Sequence, residues 1–325
     1  MSAPDLGIIG AGAWGTALAI NQAAAGRAVA LWGRDVTDLV AERRNRKYLP
    51  DAEFPDSLAV VTHFEAMAAC RTILLVVPAQ TIRQTCQALA PHIEPGTRLV
   101  ICAKGLERAS GDPLARVVAE EIANAHIGVL SGPNYAAEVA RGLPAAATIA
   151  AEREDISAAL ANELSNRNLR LYHSTDLIGV EIAGALKNVV AIACGIVIGR
   201  GLGENARAAV MTRGLAEIAR LALKMGARHE TLMGLAGIGD LALTCSSLQS
   251  RNFSFGHRIG QGSGIEAAAG ALAEGAATSG AVLKLAASHE LEMPIAQAVH
   301  SILSGHTTIE GTVADLMLRP LKREL

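Results

Sequence analysis

The groups in this chain best suited to chemistry are a few cations set among small residues. Lys187 lies in Glu181-Ile182-Ala183-Gly184-Ala185-Leu186-Lys187-Asn188. At helical spacings of three and four, Gly184, Lys187, Asn188, Ala191 and Gly195 share one face. That face is small except for one cation and one amide, so a substrate could come close to the amine. Lys187 could then give or take a proton in general acid–base chemistry, although a Lys stem can also snorkel to the surface. Lys104, in Ala103-Lys104-Gly105-Leu106-Glu107, follows an apolar run, and ligands of open parallel sheets bind beyond such runs. By position alone it reads equally as a surface base. Ser131-Gly132-Pro133-Asn134-Tyr135-Ala136 follows a second apolar run, where small residues and a helix-starting Pro133 would leave backbone N–H groups free. Gly234-Leu235-Ala236-Gly237-Ile238-Gly239-Asp240 is a glycine-rich turn ending in an acid. In Ser250-Arg251-Asn252, the guanidinium can grip a phosphate with two parallel bonds, and its neighbours can add neutral ones.

Near the start, Gly10-Ala11-Gly12-Ala13-Trp14-Gly15 has the form G-x-G-x-x-G, with a strand before it and a helix after it. Gly10 permits the tight turn, Gly12 lets backbone approach a pyrophosphate, and Gly15 lets helix and strand pack closely. The helix N-terminus adds free N–H groups and the positive end of its dipole. This is the signature of a dinucleotide site. At the end of the second strand an acid suits NAD and a base suits NADP. Leu31-Trp32-Gly33-Arg34-Asp35 presents Arg34 first, which tilts the reading towards NADP(H) over NAD(H).

These groups need a scaffold, and the first half of the chain supplies one. Runs at Leu6–Ile9, Ala28–Trp32, Leu58–Val61, Thr72–Val77, Arg98–Cys102 and Ile127–Leu130 read as strands. Helices are expected at Trp14–Ala25, Asp35–Lys47, Ala79–Ala90 and Pro113–Asn124. Such alternation means βαβ units and a mostly parallel sheet. From about Thr175 the texture becomes helical, with segments at Asp176–Ile198, Glu204–Met225, Ala281–Ser288, Pro294–Leu303 and Ile309–Met317. The expected division is 1–178 for a dinucleotide-binding domain and 179–325 for a helical substrate-binding domain.

Composition bounds the rest. Lys and Arg number 29 against 31 Asp and Glu, half the residues are hydrophobic, and aromatics make up 3%. Near-neutral charge argues against a general nucleic-acid or acidic-membrane binder, and scarce aromatics argue against base stacking. Cys70, Cys86, Cys102, Cys194 and Cys245 lie far apart without metal or redox spacing, so buried, reduced thiols and no metal are expected. The uncharged stretch from Leu6 lacks a preceding base and is broken by glycines, unlike a signal sequence. Val189–Gly199 is about half the ~20 residues a bilayer span needs. The expectation is a soluble cytoplasmic protein without membrane insertion.

Taken in order, these segments resemble the bacterial type of NAD(P)-dependent glycerol-3-phosphate dehydrogenase. The resemblance rests on Gly10–Ala19, Leu31–Arg34, Lys104–Glu107, Ser131–Ala136, Gly184–Val189, Gly234–Leu241 and Ser250–Asn252, across nearly the whole chain. It implies an α/β Rossmann-type N-terminal domain followed by an all-α C-terminal bundle like that of 6-phosphogluconate dehydrogenase. The implied reaction is reversible hydride transfer between sn-glycerol 3-phosphate and dihydroxyacetone phosphate, which supplies the glycerophospholipid backbone. Carried over by motif, Lys187 would be the proton donor and acceptor. Lys104, Gly132, Asn134, Lys187, Asp240, Ser250, Arg251 and Asn252 would contact substrate. Gly10, Gly12, Ala13, Trp14, Gly15, Arg34, Tyr48, Lys104, Ala136, Arg251, Leu272 and Glu274 would contact the cofactor. Asn134 stands where Ser or Thr is common, and Ala273–Ser279 lacks the aromatic that often follows the Glu-Gly pair. A β-hydroxyacid dehydrogenase of similar architecture and a non-catalytic NADP sensor are the competing readings. Oligomeric state is left open, a homodimer being one compatible arrangement.

Overall fold

Parallel strands need long crossovers, and in a computed structural model of the chain, which describes residues 4–268 and 274–320, helices supply them. β1 (Leu6–Ile9) is joined to its parallel neighbour β2 (Val29–Trp32) by α1 (Ala13–Ala24), with Ile8 opposite Leu31. α2 (Thr37–Glu42) leads into an antiparallel ribbon of β3 (Arg44–Asn45) and β4 (Leu49–Glu53), and β5 (Leu58–Val61) then pairs with β2. β6 (Thr72–Leu75), α3 (Ile82–Leu89), β7 (Arg98–Ile101), α4 (Leu114–Glu121) and β8 (His126–Ser131) continue the alternation. α5 (Ala136–Ala140), β9 (Ala145–Ala151), α6 (Glu154–Leu164) and β10 (Leu169–Ser174) complete it. The eight-stranded sheet runs β10-β9-β8-β7-β6-β1-β2-β5 and is parallel except where β8 meets β9. Strand order reverses at β1, and ligands of such sheets bind beyond the carboxyl ends at that switch.

Alternate strand residues face opposite layers. Leu6 and Ile8 join Leu18 of α1 and Leu160 of α6, while Ile9 joins Ile82 of α3 and Val117 of α4. With both faces covered, the strands are apolar throughout rather than alternating.

Beyond Ser174 the structure is helical: α7 (Leu177–Gly199), α8 (Glu204–Lys224), α9 (His229–Leu232), α10 (Asp240–Thr244), α11 (Arg251–Gly260), α12 (Ile265–Ala268), α13 (Glu274–Ser288), α14 (Pro294–Leu303) and α15 (Ile309–Met317). α7 is capped by Asp176, which accepts from Gly179 N–H at 2.9 Å. By length and composition α7 could cross a bilayer, but 83% of its apolar window is buried inside the protein, so here it forms the core of the helical part. Neither α4, which follows Pro113, nor α14, which begins at Pro294, has a side-chain cap of its own, and this leaves N–H groups to satisfy. Buried acids from α7 and α8 do so. Glu181 accepts from Ala115 N–H at 2.9 Å at the start of α4, and Glu217 accepts from Ile295 N–H at 2.7 Å at the start of α14.

α11 crosses α7 at the closest range backbone allows. A Cβ at Gly195 or Gly199 would overlap the carbonyl oxygens of Phe253 and His257, and one at Gly256 or Gly260 would overlap those of Ile192 and Ile196. The four glycines thereby fix where α11 sits against α7.

Three expectations fail. The helix expected to reach Lys47 stops at Glu42, because Arg43 turns left-handed (φ 48°) and the chain enters the β3–β4 ribbon. Pro133 does not start a helix: α5 begins at Ala136, after a loop shaped by Asn134 and Tyr135. The helix expected from Ala281 already includes Glu274. In addition, β9, with the sequence Ala-Ala-Ala-Thr-Ile-Ala-Ala, is a strand despite alanine's helical preference, because β8 and β10 flank it on both sides.

Candidate active site

The glycine turn sits at the carboxyl end of β1. Gly10 adopts φ +122°, and a Cβ there would lie 2.6 Å from the Val76 carbonyl oxygen. A Cβ at Gly15 would overlap the Gly10 carbonyl, which is how α1 comes so close to β1. Gly12, by contrast, faces open space with no atom within 4 Å of where a Cβ would be. Gly12 is also the N-cap of α1, whose first turn has no acid and no side-chain cap. Free N–H groups, a positive dipole end and a cleared approach suit a pyrophosphate. Arg34 is exposed just beyond β2. Tyr48 is 46% exposed, next to the β3–β4 ribbon. Trp14 and Ala136 pack on one small apolar cluster with Ala17, Leu49 and Val139 beside the start of α1. Leu272 lies outside the described residues.

Across the seam between sheet and helices, Asp240 gathers the cations. Its Oδ1 lies 2.5 Å from Lys187 Nζ and its Oδ2 lies 2.5 Å from Lys104 Nζ. Ser131 Oγ also donates to Oδ2, at 3.4 Å. Asp240 opens α10 directly after the turn Leu235–Gly239, which kinks at Gly237 (φ −94°, ψ −105°), and this places its carboxylate under α7. Lys187 is 7% exposed and Asp240 1%. Gly184 makes room one turn before Lys187, since a Cβ there would sit 2.8 Å from Ser131 Oγ. Lys104 also donates to the Gly132 carbonyl at 3.3 Å, and Asn188 Nδ2 donates to the Lys104 carbonyl at 3.4 Å. Two contributors were not legible in the sequence. Thr244 accepts from Lys187 at 2.6 Å and donates to the Asp240 carbonyl at the same distance. Tyr135 donates to the Leu243 carbonyl at 2.8 Å, tying the loop after β8 to α10. The signal for Thr244 was its position one helical turn after Asp240; Tyr135 carried none.

Burial pulls the Lys187 ammonium from the ordinary 10.5 down to about 8; Lys104 adds to this and Asp240 opposes it. Burial alone would raise Asp240, but the two ammonium groups outweigh it and hold the carboxyl below its usual range. Glu274 lies in the first turn of α13. Its carboxyl is pushed up by burial, against the pull of Arg251, Lys104 and Lys187.

Ser250 caps α11 by accepting from Phe253 N–H at 3.2 Å, and its hydroxyl hydrogen stays available. Arg251 is exposed at the first position of that helix. Asn252 accepts from Gly275 N–H at 3.0 Å through its carbonyl, so its amide N–H groups face no protein acceptor among the described residues. Asn134 spends its amide on the Ala146 carbonyl at 3.0 Å, and its buried Oδ1 has no partner among the described residues. The structure therefore brings Lys104, Gly132, Lys187 and Asp240 together, with Ser250, Arg251 and Asn252 at the adjoining end of α11. Among the described residues, no group of three or more His, Cys, Asp or Glu side chains could hold a metal ion.

Family models match both parts of the chain: NAD-dependent glycerol-3-phosphate dehydrogenase N-terminus over residues 5–157, and its C-terminus over 176–314. A glycerol-3-phosphate dehydrogenase (NAD(P)+) of Bradyrhizobium sp. strain ORS 278 is 50% identical over 321 residues, 98% of each chain. One of Methylobacterium radiotolerans is 49% identical over 325 residues, also 98% of each. The crystal structure of glycerol-3-phosphate dehydrogenase from Coxiella burnetii superposes with a TM-score of 0.93 at 39% identity, covering 97% of this chain and 99% of that one.

Proposed function

Because the chain belongs to the NAD-dependent glycerol-3-phosphate dehydrogenase family of NAD(P)-linked oxidoreductases, we propose that it interconverts dihydroxyacetone phosphate and sn-glycerol 3-phosphate, with Lys187 moving the proton. The observation that carries this reading is the Lys187 amine, buried at the seam and 2.5 Å from Asp240. With the dinucleotide's pyrophosphate held at the glycine turn, its nicotinamide would supply or receive the hydride. Lys187 near pH 8 is divided between ammonium and amine. As the ammonium it polarises the ketone and delivers its proton to the developing alkoxide; as the amine it takes the hydroxyl proton in the reverse direction. Asp240 neutralises one of the two lysine charges, so the triad carries one net positive charge while Lys187 is an ammonium and none once it is the amine. Arg251, Ser250 and the Asn252 amide supply donors for the phosphate.

The reading includes a division near residue 178 into a dinucleotide-binding and a substrate-binding unit, and an NADP(H) preference through Arg34. A role in supplying the glycerophospholipid backbone belongs to it as well. Cytoplasmic residence is supported by five buried cysteines, all of them free thiols. The test is steady-state kinetics on two variants. Lys187→Ala should lower kcat by about 10²–10⁴-fold. Arg251→Ala should chiefly raise KM for the phosphorylated substrate, by roughly 10–100-fold for a lost charged hydrogen-bond pair. Near-wild-type turnover in Lys187→Ala, or faster NADPH oxidation with 3-oxo acids than with dihydroxyacetone phosphate, would overturn the assignment.

A further inference from the structure

The β3–β4 ribbon interrupts the regular alternation of strands and helices between β2 and β5, and it brings one side chain to the glycine turn. Asn45 is 1% exposed. Its amide nitrogen donates to the Ala11 carbonyl at 3.0 Å and to Thr16 Oγ1 at 2.8 Å. Ala11 is the residue between Gly10 and Gly12, and Thr16 lies in the first turns of α1. One amide therefore ties the turn to its helix from outside the βαβ unit. Several features hold it there. Arg43, left-handed at φ 48°, ends α2 and redirects the chain, a backbone conformation uncommon for a non-glycine residue. Its guanidinium donates to the Pro55 carbonyl at 2.7 Å, and its own carbonyl accepts from Phe54 N–H at 2.9 Å. Leu49 of β4 is buried against Ala17 of α1.

In a planar trans peptide, the carbonyl of one residue and the N–H of the next point in opposite directions. Fixing the Ala11 carbonyl on Asn45 therefore aims the Gly12 N–H away from Asn45. That N–H has no protein acceptor among the described residues, and the space over Gly12 is open. We infer that Asn45 is a positioning residue for the dinucleotide's pyrophosphate: it locks the Ala11–Gly12 peptide in the orientation that presents the Gly12 N–H to the phosphate oxygens. This rests on the dinucleotide-binding part of the proposed function. It also predicts a pattern that Arg34 would not give, since the pyrophosphate is common to NADH and NADPH.

The experiment titrates intrinsic fluorescence from Trp14 and Trp32 with NADH and with NADPH, alongside thermal melts. Asn45→Asp keeps the side chain's volume and can accept from Thr16, but it turns an acceptor towards the Ala11 carbonyl. Asn45→Ala removes the donors without adding charge. Thr16→Ala removes the other partner and leaves the Ala11 bond in place. Both Asn45 variants should raise Kd for NADH and NADPH by the same factor, about tenfold, or ~1.4 kcal/mol. Thr16→Ala should stay within about threefold of wild type, and KM for dihydroxyacetone phosphate should hold in all three variants. An Asn45→Ala protein that melts lower yet binds both dinucleotides as wild type would overturn the inference. So would weakening in Asn45→Asp alone, which is a charge effect, or unequal losses for the two dinucleotides. Failure of the wild type to bind either dinucleotide would instead sink the underlying reading.

Discussion

Asp240→Asn removes a negative charge lying 2.5 Å from two ammonium groups while keeping the side chain's shape. Lys187 reaches about 8 as a balance: burial and Lys104 push it down, and Asp240 holds it up. In the variant the upward pull is lost and both downward ones remain. A charge pair about 4 Å apart at an effective dielectric near 20 interacts by roughly 4 kcal/mol. At ~1.36 kcal/mol per pKa unit, even half of that lowers the lysine by more than one unit. The assay is the initial rate of nicotinamide reduction by sn-glycerol 3-phosphate across a pH series. In this direction Lys187 must be neutral, so kcat/KM, which reports the free enzyme, should rise through a midpoint near pH 8 in the wild type. The midpoint should fall below about pH 7 in Asp240→Asn, whatever happens to the plateau. In the reducing direction the falling limb should move the same way. A midpoint that stays put, or moves to higher pH, would refute Lys187 as the titrating group or Asp240 as its counter-charge.

Three further outcomes follow from particular contacts. Arg34→Ala should weaken NADPH binding by tenfold or more, on the order of a charge-assisted hydrogen bond, and leave NADH within about twofold; equal losses in direct titrations would refute a role at the extra phosphate. Gly256→Ala puts a methyl onto the Ile192 carbonyl, so α11 must move from α7 at a cost of about 1–3 kcal/mol, read in denaturant melts. Glu181 is raised by burial from 4.5 to about 7, with its Oε2 lacking a partner among the described residues. Its folded pKa lies above its unfolded one, so the stability it contributes at low pH is lost as pH rises from about 4.5 through 7, by roughly 3 kcal/mol. Melts of Glu181→Gln across that window should show a flatter pH dependence than wild type, and parallel curves would count against a neutral Glu181.

Some of this architecture could be read one residue at a time. Pro294–Leu303 and Ile309–Met317 were legible to their ends, as a proline start and a clear helical period mark them. The same held for β1, and for the glycine turn, where backbone permission is a property of the residue itself. The stretch from Asp35 to Lys47 was not legible: its composition is helical, and only the docking of Leu49 and Asn45 onto α1 favours the ribbon. Nor was β9, since what makes an alanine run a strand is the pair of strands on either side.

The amino-acid order alone thus determined the alternation of strands and helices, the turn built for a phosphate, and a short set of cations able to act, because these depend on local period, backbone freedom and side-chain chemistry. Tertiary structure decided which of those charges meet. Lys104 follows β7 while Lys187 and Asp240 lie on α7 and α10, and only packing brings each amine within 2.5 Å of Asp240 and strips water from Lys187 and Asp240. Proton affinity follows from burial and neighbouring charge, which are properties of the folded surroundings.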